Sequence, residues 1–97
     1  MGETDDLEWD DAKDHLTQMH RSLSLAIAAR LFDGRLRLER ISPKSPLGEV
    51  RWETMGDIDG RVLFCVWTWR GRKRRVISLR PASRSERNAY REAVGRR

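Results

Sequence analysis

The stretch Val62-Leu63-Phe64-Cys65-Val66-Trp67-Thr68-Trp69 constrains the fold more than any other part of this chain. It is rich in β-branched and aromatic residues, and an extended chain turns successive side chains to opposite faces. Val62, Phe64, Val66 and Thr68 then share one face, and Leu63, Cys65, Trp67 and Trp69 the other. A strand with apolar side chains on both faces belongs near the centre of a sheet, with helices covering one face. Asp59-Gly60, just upstream, is a strong hairpin signal because a two-residue turn needs positive φ angles. Arg70-Gly71-Arg72 marks a second turn downstream. Val50 to Met55, closed by Gly56-Asp57-Ile58-Asp59-Gly60, is therefore the preceding strand, and Arg74 to Arg80 the following one.

Helices flank this sheet. Asp10 or Asp11 can cap the first by accepting an unpaired first-turn amide. Leu16, Met19 and Leu23 give it an apolar stripe. Ser22 or Ser24 starts a second helix with Leu25, Ala28, Ala29 and Phe32 on one side, and Gly34 ends it. Leu7-Glu8-Trp9 is a short strand or an extended lead-in, and Leu36, Leu38 and Ile41 mark an edge strand. Ser42-Pro43-Lys44-Ser45-Pro46-Leu47-Gly48 is a loop, since each proline lacks a donor and restricts the residue before it. Along Arg74 to Arg80, strict alternation puts Arg75, Ile77 and Leu79 on one face and Val76, Ser78 and Arg80 on the other. Ser83 and Glu86 form a capping box for a C-terminal helix, along which Arg84, Arg87 and Arg91 recur at helical spacing. The expected fold is α+β: one domain over residues 1–97, with two N-terminal helices, a small antiparallel sheet and a C-terminal helix.

Charge is divided unevenly. Residues 1–33 carry a net −5 and residues 34–97 a net +10, within an overall +5. Residues 70–97 alone hold eleven Arg or Lys against Glu86 and Glu92. Concentrating like charge costs a folded domain stability, so the pattern implies a polyanion or an acidic partner, with RNA the leading candidate. No apolar run approaches the roughly 20 residues needed to cross a bilayer. Met1 is followed by Gly2, Glu3, Thr4, Asp5 and Asp6, the opposite of a basic-then-apolar secretion signal, so no membrane and a cytoplasmic location are expected. Cys65, between Phe64 and Val66, reads as a small buried hydrophobe. Paired Cys-x-x-Cys, His-Glu-x-x-His and Gly-x-x-x-x-Gly-Lys patterns do not occur, which removes the usual zinc and phosphate-loop arrangements.

The chain resembles the BrnT family of bacterial type II toxins over roughly residues 7–92. The matching pieces are Leu7-Glu8-Trp9-Asp10 with Lys13, Phe32-Asp33, and Glu49 with Arg51 and Gly56. The clearest run is Gly60-Arg61-Val62-Leu63, Thr68, Arg70-Gly71, Arg75 to Arg80, Ala82, Glu86-Arg87 and Tyr90. Order and spacing together make the resemblance specific. It implies a RelE-like small ribonuclease that uses no metal or other cofactor. A BrnA-like antitoxin would neutralise it, form a heterotetramer with it and bring it to promoter DNA. The family's Lys-His-Gly after the first helix is replaced here by His20-Arg21-Ser22. A catalytically impaired member, or a basic nucleic-acid-binding module, is the alternative.

RNA cleavage of this kind needs an activated 2′-hydroxyl, stabilisation of a phosphorane-like transition state, and help for the departing 5′-oxygen. Fixed guanidinium groups suit the second task. Arg51, Arg75 and Arg80, on the matching strands, are the leading group. His20 can transfer protons near neutral pH. Arg21 occupies the family histidine's position and is a candidate phosphate contact, as are Arg70, Lys73, Arg84 and Arg87. Glu49 can orient Arg51 or act as a base. Trp67 and Trp69 can stack on bases if uncovered, or fill the core; Trp67 is the candidate RNA contact of the two.

Overall fold

A computed structural model describes residues 1–95; Arg96 and Arg97, two of the C-terminal cations, lie outside the described residues. In chain order the elements are β1 (Gly2–Glu3), β2 (Leu7–Trp9), α1 (Asp11–Arg21), a 3₁₀ helix (Leu25–Phe32), β3 (Arg37–Ile41), β4 (Trp52–Ile58), β5 (Arg61–Arg70), β6 (Lys73–Pro81) and α2 (Arg84–Gly95). They build one six-stranded sheet in the order β1-β2-β6-β5-β4-β3. β5 lies inside the sheet as its two apolar faces require. Asp59 and Gly60, both at positive φ (53° and 87°), make the turn between β4 and β5.

The expected RelE-like outline, two N-terminal helices over an antiparallel sheet, is corrected on two counts. First, β2 pairs with β6 in parallel, so the sheet is mixed. The chain leaves β2, crosses to the far edge, and returns through the antiparallel strands β3 to β6, so its last strand runs beside its second in the same direction. Second, of the two expected N-terminal helices only α1 is an α-helix. Residues 25–32 wind as a 3₁₀ helix, capped by the Ser24 side chain. The residues it buries, Leu25, Ala28 and Leu31, recur every three positions. That is the 3₁₀ period, whereas an α-helix would have rotated them apart.

Two smaller corrections follow from packing. Gly56, expected to close its strand, sits inside β4. A Cβ there would come within 2.8 Å of Leu31 Cδ2, so the missing side chain is what lets the 3₁₀ helix lie on the sheet. Of the expected stripe only Leu23, just past α1, is buried; on the helix itself Leu16 and Met19 are exposed and Thr17 is the buried residue. Asp10, not Asp11, caps this helix by accepting the Lys13 amide at 3.0 Å. The Asp14 carboxylate accepts the Leu25 amide at 2.7 Å, which locks α1 to the 3₁₀ helix.

The sheet has a different cover on each face. Leu63, Cys65 and Trp67 of β5 join Leu7, Trp9, Leu25, Ala28, Leu31, Val76 and Leu79 in the larger core. Val62 and Phe64 meet Met55, Ala82 and Tyr90, with Leu38, Val66 and Val94 packed around them, where α2 crosses the opposite face. Glu86 and Ser83 complete the expected capping box: Ser83 N–H donates to Glu86 Oε1 at 2.7 Å and Glu86 N–H to Ser83 Oγ at 3.3 Å. Among the described residues no helix is long and apolar enough to cross a membrane.

Candidate active site

Strict alternation along β6 would separate Arg75 from Arg80, yet the structure brings them to one face. The pairing of β5 with β6 shifts at Val66/Trp67: Val66 faces Ser78 and Trp67 faces Val76, leaving Ile77 without a partner. This is a β-bulge, an extra residue that resets which side chains point which way. Val76 and Leu79, three positions apart, consequently share the larger core. Arg75 opposes Thr68 and Arg80 opposes Phe64, so both join the face that α2 only partly covers.

Two hollows lie on that face. The first, about 360 Å³, is lined among others by Arg40, Lys44, Arg51, Glu53, Arg80 and Glu86. The second, about 380 Å³, is lined among others by Lys13, Leu16, Glu49, Arg51, Arg70 and Arg75. Arg51 and Ile77 line both, so the hollows meet at these side chains in one cationic groove.

Arg51 is held by the proline-bounded loop before β4. Its amide donates to Ser45 Oγ at 2.9 Å, and its carbonyl accepts the Ser42 amide at 2.7 Å. With donors missing at Pro43 and Pro46, the serines supply the loop's polar closure. The Arg51 side chain donates from Nε to Glu49 at 2.8 Å, and Arg70 approaches the same carboxylate at 3.6 Å. Deeper in the first hollow, buried Glu53 accepts from Arg40 Nε and Ser42 Oγ, both at 2.8 Å. Arg75 pairs with Glu8 of β2 at 3.0 Å, so the parallel strand directly buttresses the groove.

Arg80 forks onto Glu86 with contacts of 2.7 and 2.9 Å, and its guanidinium lies 4.2 Å from the Phe64 ring centre. The Arg80 hydrogen bonds, with those from Ser83, hold the Glu86 carboxyl at about 2. Glu86 is thus an ionised anchor, ill-suited to carry a proton. A carboxylate whose folded value is depressed adds stability above its ordinary value of 4.5, and that stability is lost as pH falls through about 2. The Glu86→Gln variant, which keeps a capping acceptor, is expected to show a smaller loss of urea stability between these pH values than the parent. Equal losses in the two proteins would remove the Arg80–Glu86 pair from the acid response.

A family model described as the ribonuclease toxin, BrnT, of type II toxin-antitoxin systems matches residues 9–86. The chain belongs to the BrnT family. It is therefore a ribonuclease toxin of a type II system, a class whose members act with an antitoxin partner. No curated protein matches the chain. The match encloses Lys13, Glu49, Arg51, Arg70, Arg75 and Arg80, all lining the groove of this BrnT-family chain.

The remaining candidates are placed elsewhere. His20 is exposed in the last turn of α1 and does not line the groove. Arg21 donates from Nη1 to the Leu79 carbonyl at 3.2 Å, satisfying an acceptor on β6 beyond the reach of three-residue β2. Its bond is structural. Lys73 pairs with Glu3 of β1, Arg87 donates to the Ala82 carbonyl at 2.9 Å, and Arg84 is exposed; none of them lines the groove. Trp67 is 2% exposed, with its indole N–H on Thr54 Oγ1 at 2.8 Å, so no base can stack on it. Burial also pushes the Cys65 thiol up to about 12, which removes it as a nucleophile. Lys13 also lines the groove, although it was not among the candidates. Its signal was its place in the BrnT-like opening motif: three residues after Asp10, it occupies the first turn of a helix that starts beside the groove. Among the described residues, no three His, Cys, Asp or Glu side chains are grouped to hold a metal ion.

Proposed function

We propose that this BrnT-family toxin is an endoribonuclease that cuts single-stranded RNA by 2′-hydroxyl attack on the adjacent phosphorus, without a metal ion. The observation that carries this is Arg51 at the junction of two hollows, with Arg75 in one and Arg80 in the other. The guanidiniums are tethered by carboxylates or backbone before substrate arrives, so little reorganisation is needed as phosphoryl charge develops. Glu49, half-buried beside Arg51, accepts the 2′-hydroxyl proton; the new O2′–P bond forms as the P–O5′ bond breaks. The Lys13 ammonium protonates the departing 5′-oxygen. The products are a 2′,3′-cyclic phosphate and a free 5′-hydroxyl.

The toxin works in the cytoplasm, and its antitoxin is BrnA-like, joins it in a heterotetramer and carries the complex to promoter DNA. Exposed Leu16, which lines the groove, and exposed Met19 on the same helix support a partner that covers it. One observation favours a second reading. No histidine lines the two hollows, in keeping with a member impaired in catalysis and retained for antitoxin or nucleic-acid binding. Cleavage of a long single-stranded RNA in EDTA separates the two. The parent is expected to cut and the folded Arg75→Ala/Arg80→Ala variant to lose at least 10²-fold in rate, about the effect of one preorganised donor. A parent that binds this RNA without cutting it supports the second reading.

A further inference from the structure

Glu49 lines one more hollow. At the sheet end where the loop from Gly48 enters β4, Gly48, Glu49, Val50, Trp52, Thr68 and Trp69 enclose about 340 Å³. The cationic groove and this aromatic recess therefore meet at one carboxylate. Trp69 is 49% exposed and Val50 55%, so the recess presents apolar surface to solvent. The two indoles of the recess are nevertheless held in place. Trp52 stacks on buried Trp67 with ring centres 6.0 Å apart and planes 17° apart. Trp69 meets the same ring edge-on at 5.2 Å, and the Arg74 guanidinium lies 4.8 Å from its centre.

We propose that this recess is a nucleobase subsite for the nucleotide whose 2′-hydroxyl attacks the adjacent phosphorus, resting on the ribonuclease reading above. The base stacks on Trp69 with Trp52 beside it, its ribose reaches Glu49, and its 3′-phosphate falls on Arg51. Indoles fixed by a buried neighbour lose little freedom when a base arrives, and aromatic stacking accepts any base. Arg51 and Arg70, both held beside Glu49, suit the phosphates next to that base. The recess is at the small end of the roughly 300–1,000 Å³ spanned by ligand pockets, a size for one base. Larger purine faces stack better, so cleavage after purines is favoured.

The test uses binding, which stands whether or not the chain cuts. A 2′-O-methyl hexanucleotide cannot undergo the reaction, and an abasic hexamer of the same charge lacks only the bases. The full chain is expected to bind the first about 5–100-fold more tightly. Trp69→Ala is expected to lose most of that difference without weakening abasic binding, and Trp69→Phe to keep most of it. No preference in the parent overturns the subsite, as does an undiminished preference in folded Trp69→Ala. Loss of antitoxin capture with the base preference intact overturns it too, and assigns the recess to a protein interface. Should Trp69→Ala not fold, 2-aminopurine in the bound oligonucleotide reads the same contact: quenched emission supports stacking on the parent and unquenched emission at saturation overturns it. A failed subsite with normal cleavage leaves the ribonuclease reading intact; base-dependent binding without cleavage does the reverse.

Discussion

Arg51→Ala is expected to slow RNA cleavage by about 10²–10³-fold while the protein stays folded. The backbone of Arg51 carries the loop contacts, through its amide to Ser45 and its carbonyl to Ser42, and an alanine keeps both. The side chain's partner is Glu49, a half-exposed carboxylate, and losing so solvated a pair costs about 0–1 kcal/mol of stability. Structure and chemistry therefore separate at this position. Arg51→Lys retains the charge without the planar fork and is expected to recover only part of the lost rate. Single-turnover cleavage beside circular dichroism and urea unfolding measures both sides. A folded Arg51→Ala protein cutting within threefold of the parent would falsify the central role given to this residue.

Deleting Ile77 is expected to have the larger effect, because it acts on every side chain on one flank of the bulge. Without the extra residue β6 would alternate strictly against β5, and one flank would have to invert. If Arg74 to Val76 invert, Arg75 enters the core and Val76 leaves it; if Ser78 to Arg80 invert, Arg80 and Leu79 exchange places. Either way a groove cation is lost and an unpaired charge faces apolar side chains, at a cost of about 3–5 kcal/mol. That is a large share of the roughly 5–15 kcal/mol that holds such a domain together. Ile77→Val, which preserves the residue count, is expected to change the urea midpoint little. A deletion variant with parental stability and parental cleavage would show that the bulge does not set the groove.

These two positions mark what could be read from the chain and what could not. The β4–β5–β6 hairpins were legible because Asp59-Gly60 and Gly71 have turn chemistry that few other residues can supply, and the doubly apolar β5 had one sensible place. Arg51, Arg75 and Arg80 were singled out because the order of residues around them is specific, and all three line the groove. Their meeting on one face was not legible: a bulge shifts the two-residue period without leaving a glycine or proline to mark it. The 3₁₀ helix was misread because Leu25-Ala26-Ile27-Ala28-Ala29 offers apolar side chains at spacings of three and four alike, and packing under Gly56 selected three. Trp67 and Trp69 look equivalent along the strand. Only the cover of the 3₁₀ helix, Phe32 lying edge-on to Trp67 at 5.5 Å, separates a core residue from an exposed one.

The parallel strand also sets a clock. Glu8 holds Arg75 across 67 positions of sequence. At a synthesis rate of 5–20 residues per second, Glu8 waits roughly 3–13 s for its partner to be made. Throughout that interval the nascent chain has its acidic opening and none of β6, so the groove does not exist. Arg75 and Arg80 both arrive with β6, so a nascent chain that has not reached this strand carries neither of these groove cations.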